Sequence, residues 1–172
     1  MDVGGNAGKL KVAAVGEREI VMTRAFDAPR RLVFEAFTKP ELVKRWLLGP
    51  PGWSMIVCEI DLRVGGAYRY VWRHDGDGTE MGLGGVHREI VAPERIVSTE
   101  RFDQSWYPGE AVGTVVLVEQ EGKTTLTQTM LYESRAARDA VLKTPMESGV
   151  AASYDRLADL LAATTRVATT KS

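Results

Sequence analysis

The sequence predicts a single α+β domain: a curved antiparallel sheet of about seven strands around one long C-terminal helix, with two short helices between the first two strands. Three observations predict it. From residue 55 to residue 133, apolar and polar residues alternate in short runs joined mostly by hairpin-sized turns, the pattern of an antiparallel meander. Near the end, Met146, Val150, Ser153, Tyr154, Leu157, Leu160 and Leu161 fall at helical spacing. The chain has 172 residues, 44% of them hydrophobic, and a net charge of −1, which suits one folded core and not a disordered chain.

Residues 1–16 are small and polar, without the basic, apolar and small-residue succession of a secretory signal, and Asp2 stands where myristoylation needs glycine. They read as a flexible leader to a domain spanning 17–162, and the expected compartment is the cytoplasm. The first strand is expected over Glu17 to Phe26, with Ile20, Met22 and Arg24 alternating with Val21, Thr23 and Ala25. Asp27 is expected to cap a helix carrying Leu32, Val33, Ala36 and Phe37, with Pro29 in its first turn. Thr38-Lys39-Pro40-Glu41 has the capping-box pattern and opens a second short helix holding Leu42 and Trp46, which Gly49-Pro50-Pro51-Gly52 ends.

Met55 to Arg63 is the next expected strand, with Ile56, Cys58, Ile60 and Leu62 on one face and Glu59, Asp61 and Arg63 on the other. After a Gly65-Gly66 turn, Ala67 to His74 gives the clearest alternation: Tyr68, Tyr70, Trp72 and His74 share a face. Asp75-Gly76-Asp77-Gly78 marks a hairpin. Strands follow near Thr79 to Ala92, Glu94 to Phe102, Ala111 to Glu121 and Lys123 to Glu133, with Trp106 and Tyr107 in the longer loop from Asp103 to Glu110. A short helix covers Arg135 to Lys143. Thr144-Pro145-Met146-Glu147 is a second capping-box pattern, starting the last helix, which runs to about Ala162 before a fraying tail, 163–172.

Several function classes are excluded or unsupported. Lys plus Arg number 22 against 23 Asp plus Glu, so no general basic field attracts nucleic acid. No apolar run reaches the roughly 18–20 residues of a membrane helix. Cys58 is the single cysteine and reads as an inert buried thiol. His74 and His87, the only histidines, form no zinc spacing with Asp75, Asp77 or Glu80, and Asp75-x-Asp77-Gly78 lacks the later ligands of a calcium loop. Gly82, Gly84 and Gly85 lack the Lys-Ser/Thr ending of a phosphate loop and read as sites of sheet bending or close approach. Ser98, Ser105 and Ser153 sit in no nucleophile elbow. Glu59 and Asp61 read as a solvated face within reach of Arg63 and Arg69. No cofactor and no metal are expected.

Particular words recur in this order: Phe26-Asp27-Ala28-Pro29, Val33-Phe34-Glu35-Ala36-Phe37-Thr38, Lys44-Arg45-Trp46, Gly49-Pro50-Pro51-Gly52-Trp53, Asp61-Leu62-Arg63-Val64-Gly65-Gly66, Pro93-Glu94-Arg95-Ile96-Val97, Met146-Glu147-Ser148-Gly149 and Asp155-Arg156-Leu157. With them the chain resembles the START-like (SRPBCC) superfamily and its helix-grip fold, and within it the activator of heat-shock-protein-90 ATPase homologue family. The wider superfamily includes lipid carriers, hormone receptors and polyketide cyclases. Of the co-chaperone that gives the family its name, only the C-terminal part is resembled.

A twisted sheet wrapped on one helix leaves a gap between them, and such concave apolar gaps are where small ligands bind. The walls expected from the aromatic alternation and the helix stripe are Tyr68, Tyr70, Trp72, Met81, Leu83, His87, Met130, Met146, Val150 and Tyr154, an assignment that a one-residue slip would invert. Trp46 and Trp53 are expected at one end. The leading expectation is binding of a small, largely hydrophobic molecule in this cavity, with carriage favoured over catalysis. One alternative is a cyclase or dehydratase using His87, Tyr68 or Tyr70 for proton transfer. The other is a module whose partner is a chaperone. Oligomeric state stays open between monomer and homodimer, since edge strands invite pairing.

Overall fold

A computed structural model describes residues 8–170, Trp106 excepted, and of residues 166–170 the backbone alone. Along the chain run β1 (Lys11–Val15), β2 (Glu19–Phe26), α1 (Arg30–Thr38), α2 (Pro40–Trp46), β3 (Trp53–Ile60), β4 (Ala67–His74), β5 (Glu80–Val91), β6 (Arg95–Phe102), β7 (Ala111–Gln120), β8 (Lys123–Leu131), α3 (Arg135–Leu142) and α4 (Met146–Thr170). The strands form one eight-stranded antiparallel sheet in the order β1-β2-β8-β7-β6-β5-β4-β3. The long helix lies across its inner face, which is the helix-grip architecture.

Lys11–Val15 is a strand, where the sequence suggests a loose leader, so the two short helices fall between the second and third strands. The signal was absent for a physical reason. β1 is an edge strand with four of its five residues exposed, so burial imposes no alternation on it. α4 continues through Thr170, past the expected end near Ala162. The Thr164 hydroxyl donates back to the Leu160 carbonyl at 2.9 Å, so this threonine is satisfied inside the helix.

The helix starts differ from the expected caps. Pro29, not Asp27, is the N-cap of α1, and no side chain caps it. Thr38 is the last residue of α1, and its hydroxyl donates to the Phe34 carbonyl at 2.8 Å; Lys39 caps α2. The Thr144 hydroxyl donates to the Val141 carbonyl at 2.6 Å, closing α3 and leaving no capping box for α4. A true cap lies at Ser134, whose side chain accepts from the Ala137 amide.

β2 obeys its alternation fully. Ile20, Met22, Arg24 and Phe26 point inward and are buried. The inward Arg24 pairs with Asp155 of α4 at 2.7 Å and lies over the Phe26 ring. β3 keeps Cys58 and Ile60 opposite the inward Tyr70 and Tyr68, as expected, but loses Ile56 from that face. A bulge lets Met55 pair with Trp72 and Val57 with Val71, which turns Ile56 outward at 39% exposure. Arg63 pairs with Asp61 as expected, whereas Arg69 pairs with Asp103 at 2.6 Å. That pair crosses the outer face of β5 at Gly82, where a Cβ would collide with the Asp103 carboxylate. Gly85 instead meets backbone: its Cβ would strike the Thr99 carbonyl.

The core has two parts. One joins the middle of α4 to α1, α2 and the sheet through Phe26, Val33, Phe34, Trp46, Leu126 and Leu157. The other lies under α3 and contains Ile20, Met22, Tyr107, Met130, Tyr132 and Val141.

Candidate functional site

Between these two packed regions the interior is not filled. A cavity of about 480 Å³ lies under the N-terminal half of α4, in the range of small-molecule sites. Sequence explains where it opens. From Tyr154 onward α4 carries bulky residues that reach the sheet: Tyr154, Leu157, Leu160 and Leu161 are all buried. Ahead of Tyr154 the helix residues that border the cavity are Met146, Gly149, Val150 and Ser153, and Gly149 and Ser153 offer little side chain to fill it. The sheet offers no side chain either at Gly113, which borders the cavity from β7.

A strap, residues 47–50, closes one side. Trp72 Nε1 donates to the Leu47 carbonyl at 2.7 Å, the Gly49 amide donates to Ser153 Oγ at 2.8 Å, and Arg156 Nη1 donates to the Gly49 carbonyl at 2.8 Å. The strap is thus tied both to β4 and to α4. Gly149 lets it come close, since a Cβ there would sit 3.4 Å from Pro50 Cδ.

The residues expected on the walls come together around this space. Tyr68, Tyr70 and Trp72 project from β4, Met81, Leu83 and His87 from β5, Met130 from β8, and Met146, Val150 and Tyr154 from α4. Trp46 and Trp53 border it too. Met22 joins Met81, Met130 and Met146, so four thioethers face the cavity. Tyr154 closes the packed end, donating its hydroxyl to Gln128 Oε1 at 2.6 Å. Trp106 lies outside the described residues. Tyr107, from the same loop, is buried against Tyr132 with ring centroids 5.1 Å apart. His74 shares the aromatic strand face but pairs with Asp77 at 3.1 Å outside the cavity, and no metal-holding cluster occurs among the described residues. Burial pushes the Cys58 thiol up to about 11, as an inert thiol requires.

The polar chemistry differs from what the sequence suggested. His87 stacks on Tyr68 at 5.4 Å, and its Nδ1 lies 2.8 Å from Ser98 Oγ. Its Nε2 is buried without a partner among the described residues. Burial, partly offset by the Asp61 charge, holds its pKa below the usual histidine value. The Tyr68 hydroxyl donates to the Thr99 carbonyl at 2.6 Å. Burial drives the Tyr68 and Tyr70 phenols far above their ordinary range, which makes them weak acids at neutral pH.

Glu100 is the residue the sequence reading passed over. It lies on β6 in the inward series Ile96, Ser98, Glu100 and Phe102, all bordering the cavity. Burial pushes its carboxyl up to about 7, and no hydrogen bond or ion pair compensates it among the described residues. It is the one acidic residue among the described lining residues, and no Lys or Arg lines the cavity with it. The period-two pattern of β6 is the signal that places it inside.

Comparison with known proteins agrees with this architecture. The family described as Activator of Hsp90 ATPase homolog 1-like protein matches residues 27–162. The chain belongs to that family. Among solved members of this fold, a protein from Rhodobacter sphaeroides is 30% identical; the match covers 90% of this chain and 99% of that one, with a TM-score of 0.84. A protein from Chromobacterium violaceum is also 30% identical, over 84% of this chain and 96% of that one, with a TM-score of 0.71. An HSP90 activator from Plasmodium falciparum shares the fold at 23% identity, over 66% of this chain and 72% of that one, with a TM-score of 0.50. A search of the curated proteins gives no match. For this Hsp90-activator-homologue chain, family membership accounts for the grip of sheet on helix.

Proposed function

We propose that this protein binds a small, largely hydrophobic ligand in the cavity between the sheet and α4. The observation that carries the reading is about 480 Å³ of empty, mainly apolar space beside an otherwise packed core. Removing apolar surface from water yields about 25 cal/mol per Å², so a guest burying roughly 250 Å² of apolar area gains about 6 kcal/mol before ordering costs. The test is a titration with N-phenyl-1-naphthylamine, an uncharged apolar fluorophore. Saturable binding at one site is expected. Val150→Trp and Leu83→Trp, which fill the cavity from opposite walls, are expected to weaken it by at least about tenfold, or 1.4 kcal/mol. Absence of saturable binding by this and other apolar probes overturns the reading.

A second reading has one observation in its favour, the matched family itself. A chaperone of the Hsp90 class is then a partner, and the cavity is incidental. That reading expects co-purification with such a chaperone that is unaffected by Val150→Trp. Loss of chaperone association in the same variant that loses probe binding instead unites the two readings.

A further inference from the structure

The cavity contains a carboxyl group, Glu100, with no hydrogen-bond or ion-pair partner among the described residues. Moving an unpaired carboxylate out of water is costly, and folded proteins normally supply a cation or several donors in compensation. Among the described residues the two buried arginines are engaged elsewhere: Arg24 with Asp155, and Arg138 with Asp139 and the carbonyls of Gly16 and Glu19. His87 also borders the cavity, and burial, partly offset by the Asp61 charge, lowers its pKa and disfavours its charged form. Gly84 pairs with Arg101 and His87 with Ser98, so Gly85 lies opposite Glu100 on β5, and Ala111 is its partner on β7. Neither neighbour raises a bulky side chain beside the carboxyl.

Aromatic rings gather where the neighbouring strands are bare. Tyr68, Tyr70, Tyr107 and Tyr132 all border the cavity, and the Glu100 charge contributes to raising each of their phenol pKa values. Tyr68 and Tyr70 lie 5.2 Å apart, as part of a continuous aromatic wall. Tyr107 Oη is buried without a partner among the described residues. A carboxylate surrounded by π-faces is the chemistry that recognises an ammonium group.

We propose that the ligand is a cationic amphiphile, an alkyl or aryl amine whose ammonium group pairs with Glu100 inside the tyrosine wall while its apolar body fills the methionine-lined remainder. This rests on the cavity-binding reading and specifies the chemical class of guest. A neutral or anionic amphiphile of the same length lacks the counter-charge and leaves Glu100 buried and unpaired.

The test is isothermal titration at pH 8 with decylamine, decanol and decanoate, each below its aggregation concentration. Decylamine is expected to bind at least about tenfold more tightly than decanol, with decanoate weakest. In Glu100→Gln the amine is expected to fall to the alcohol's affinity while the alcohol is unchanged or improved. Tyr70→Leu is expected to lower the amine's advantage without abolishing alcohol binding. Equal binding of amine and alcohol to the native chain overturns this inference and leaves the cavity reading standing. An amine preference that survives Glu100→Gln also overturns it. Failure of all three amphiphiles to bind removes the cavity reading and this one with it.

Discussion

Glu100 makes the stability of the protein depend on pH in a direction opposite to that of most carboxylates. Its pKa rises from 4.5 in the open chain to about 7 in the fold, because burial disfavours the charged form. The folded state therefore holds the proton more tightly. The stability this represents is fully present below pH 4.5, declines as pH rises toward 7, and is gone above it. The whole effect is roughly 3 kcal/mol. Glu100→Gln is expected to be about as stable as the native chain at pH 4.5 and more stable by about that amount at pH 8, measured by urea denaturation of both proteins at each pH. A constant difference across this range removes the premise of an uncompensated carboxyl. At this scale the sequence was informative where a face announced itself. Tyr68, Tyr70 and Trp72 alternate with Arg69, Val71 and Arg73, so their shared face could be read directly. Glu100 alternates equally well, but a charged residue in a half-polar strand looks like the solvated side until the neighbouring strands fix which side is inward.

α4 is two different helices joined end to end. Its middle, from Tyr154 to Leu161, is core and its first two turns are a wall, which predicts unequal sensitivity along one element. Leu157 is fully buried, and Leu157→Ala is expected to cost about 2–5 kcal/mol. Met146 borders empty space, and Met146→Ala is expected to cost about 1 kcal/mol or less. Urea denaturation curves for the two variants check this, and equal losses are incompatible with a cavity beneath Met146. The apolar stripe of α4 was legible because burial repeats every turn. Its boundary between core and wall was not, since Met146 and Val150 look as apolar as Leu157. The caps misled for a related reason. Thr38 and Thr144 have the right neighbours for capping, but each hydroxyl closes the preceding helix by donating to a carbonyl one turn back. Ile56 shows a third limit, because one bulge reverses the face and leaves no mark in the alternation.

For the molecule as a whole, the strap at residues 47–50 governs how tightly the chamber is closed. Ser153 and Arg156 each hold Gly49 by one hydrogen bond. Each bond contributes about 1 kcal/mol, or roughly fivefold in a rate. Ser153→Ala and Arg156→Ala are each expected to speed probe release by about that factor with little change in the folded structure, as stopped-flow displacement measures. Release unchanged in both variants places the entry elsewhere. The overall grip of sheet on helix was legible from the order of elements and from family resemblance. The contents of the chamber were only partly legible, because void is a property of what side chains fail to reach. The four methionines on the wall bear on what the chamber can select. An unbranched thioether bends through several rotamers at little cost and offers a polarisable surface to many outlines. A lining of this kind is a soft mould, able to take guests of differing contour, and discrimination among them then falls to the rigid end, where a single charge sets the terms of entry.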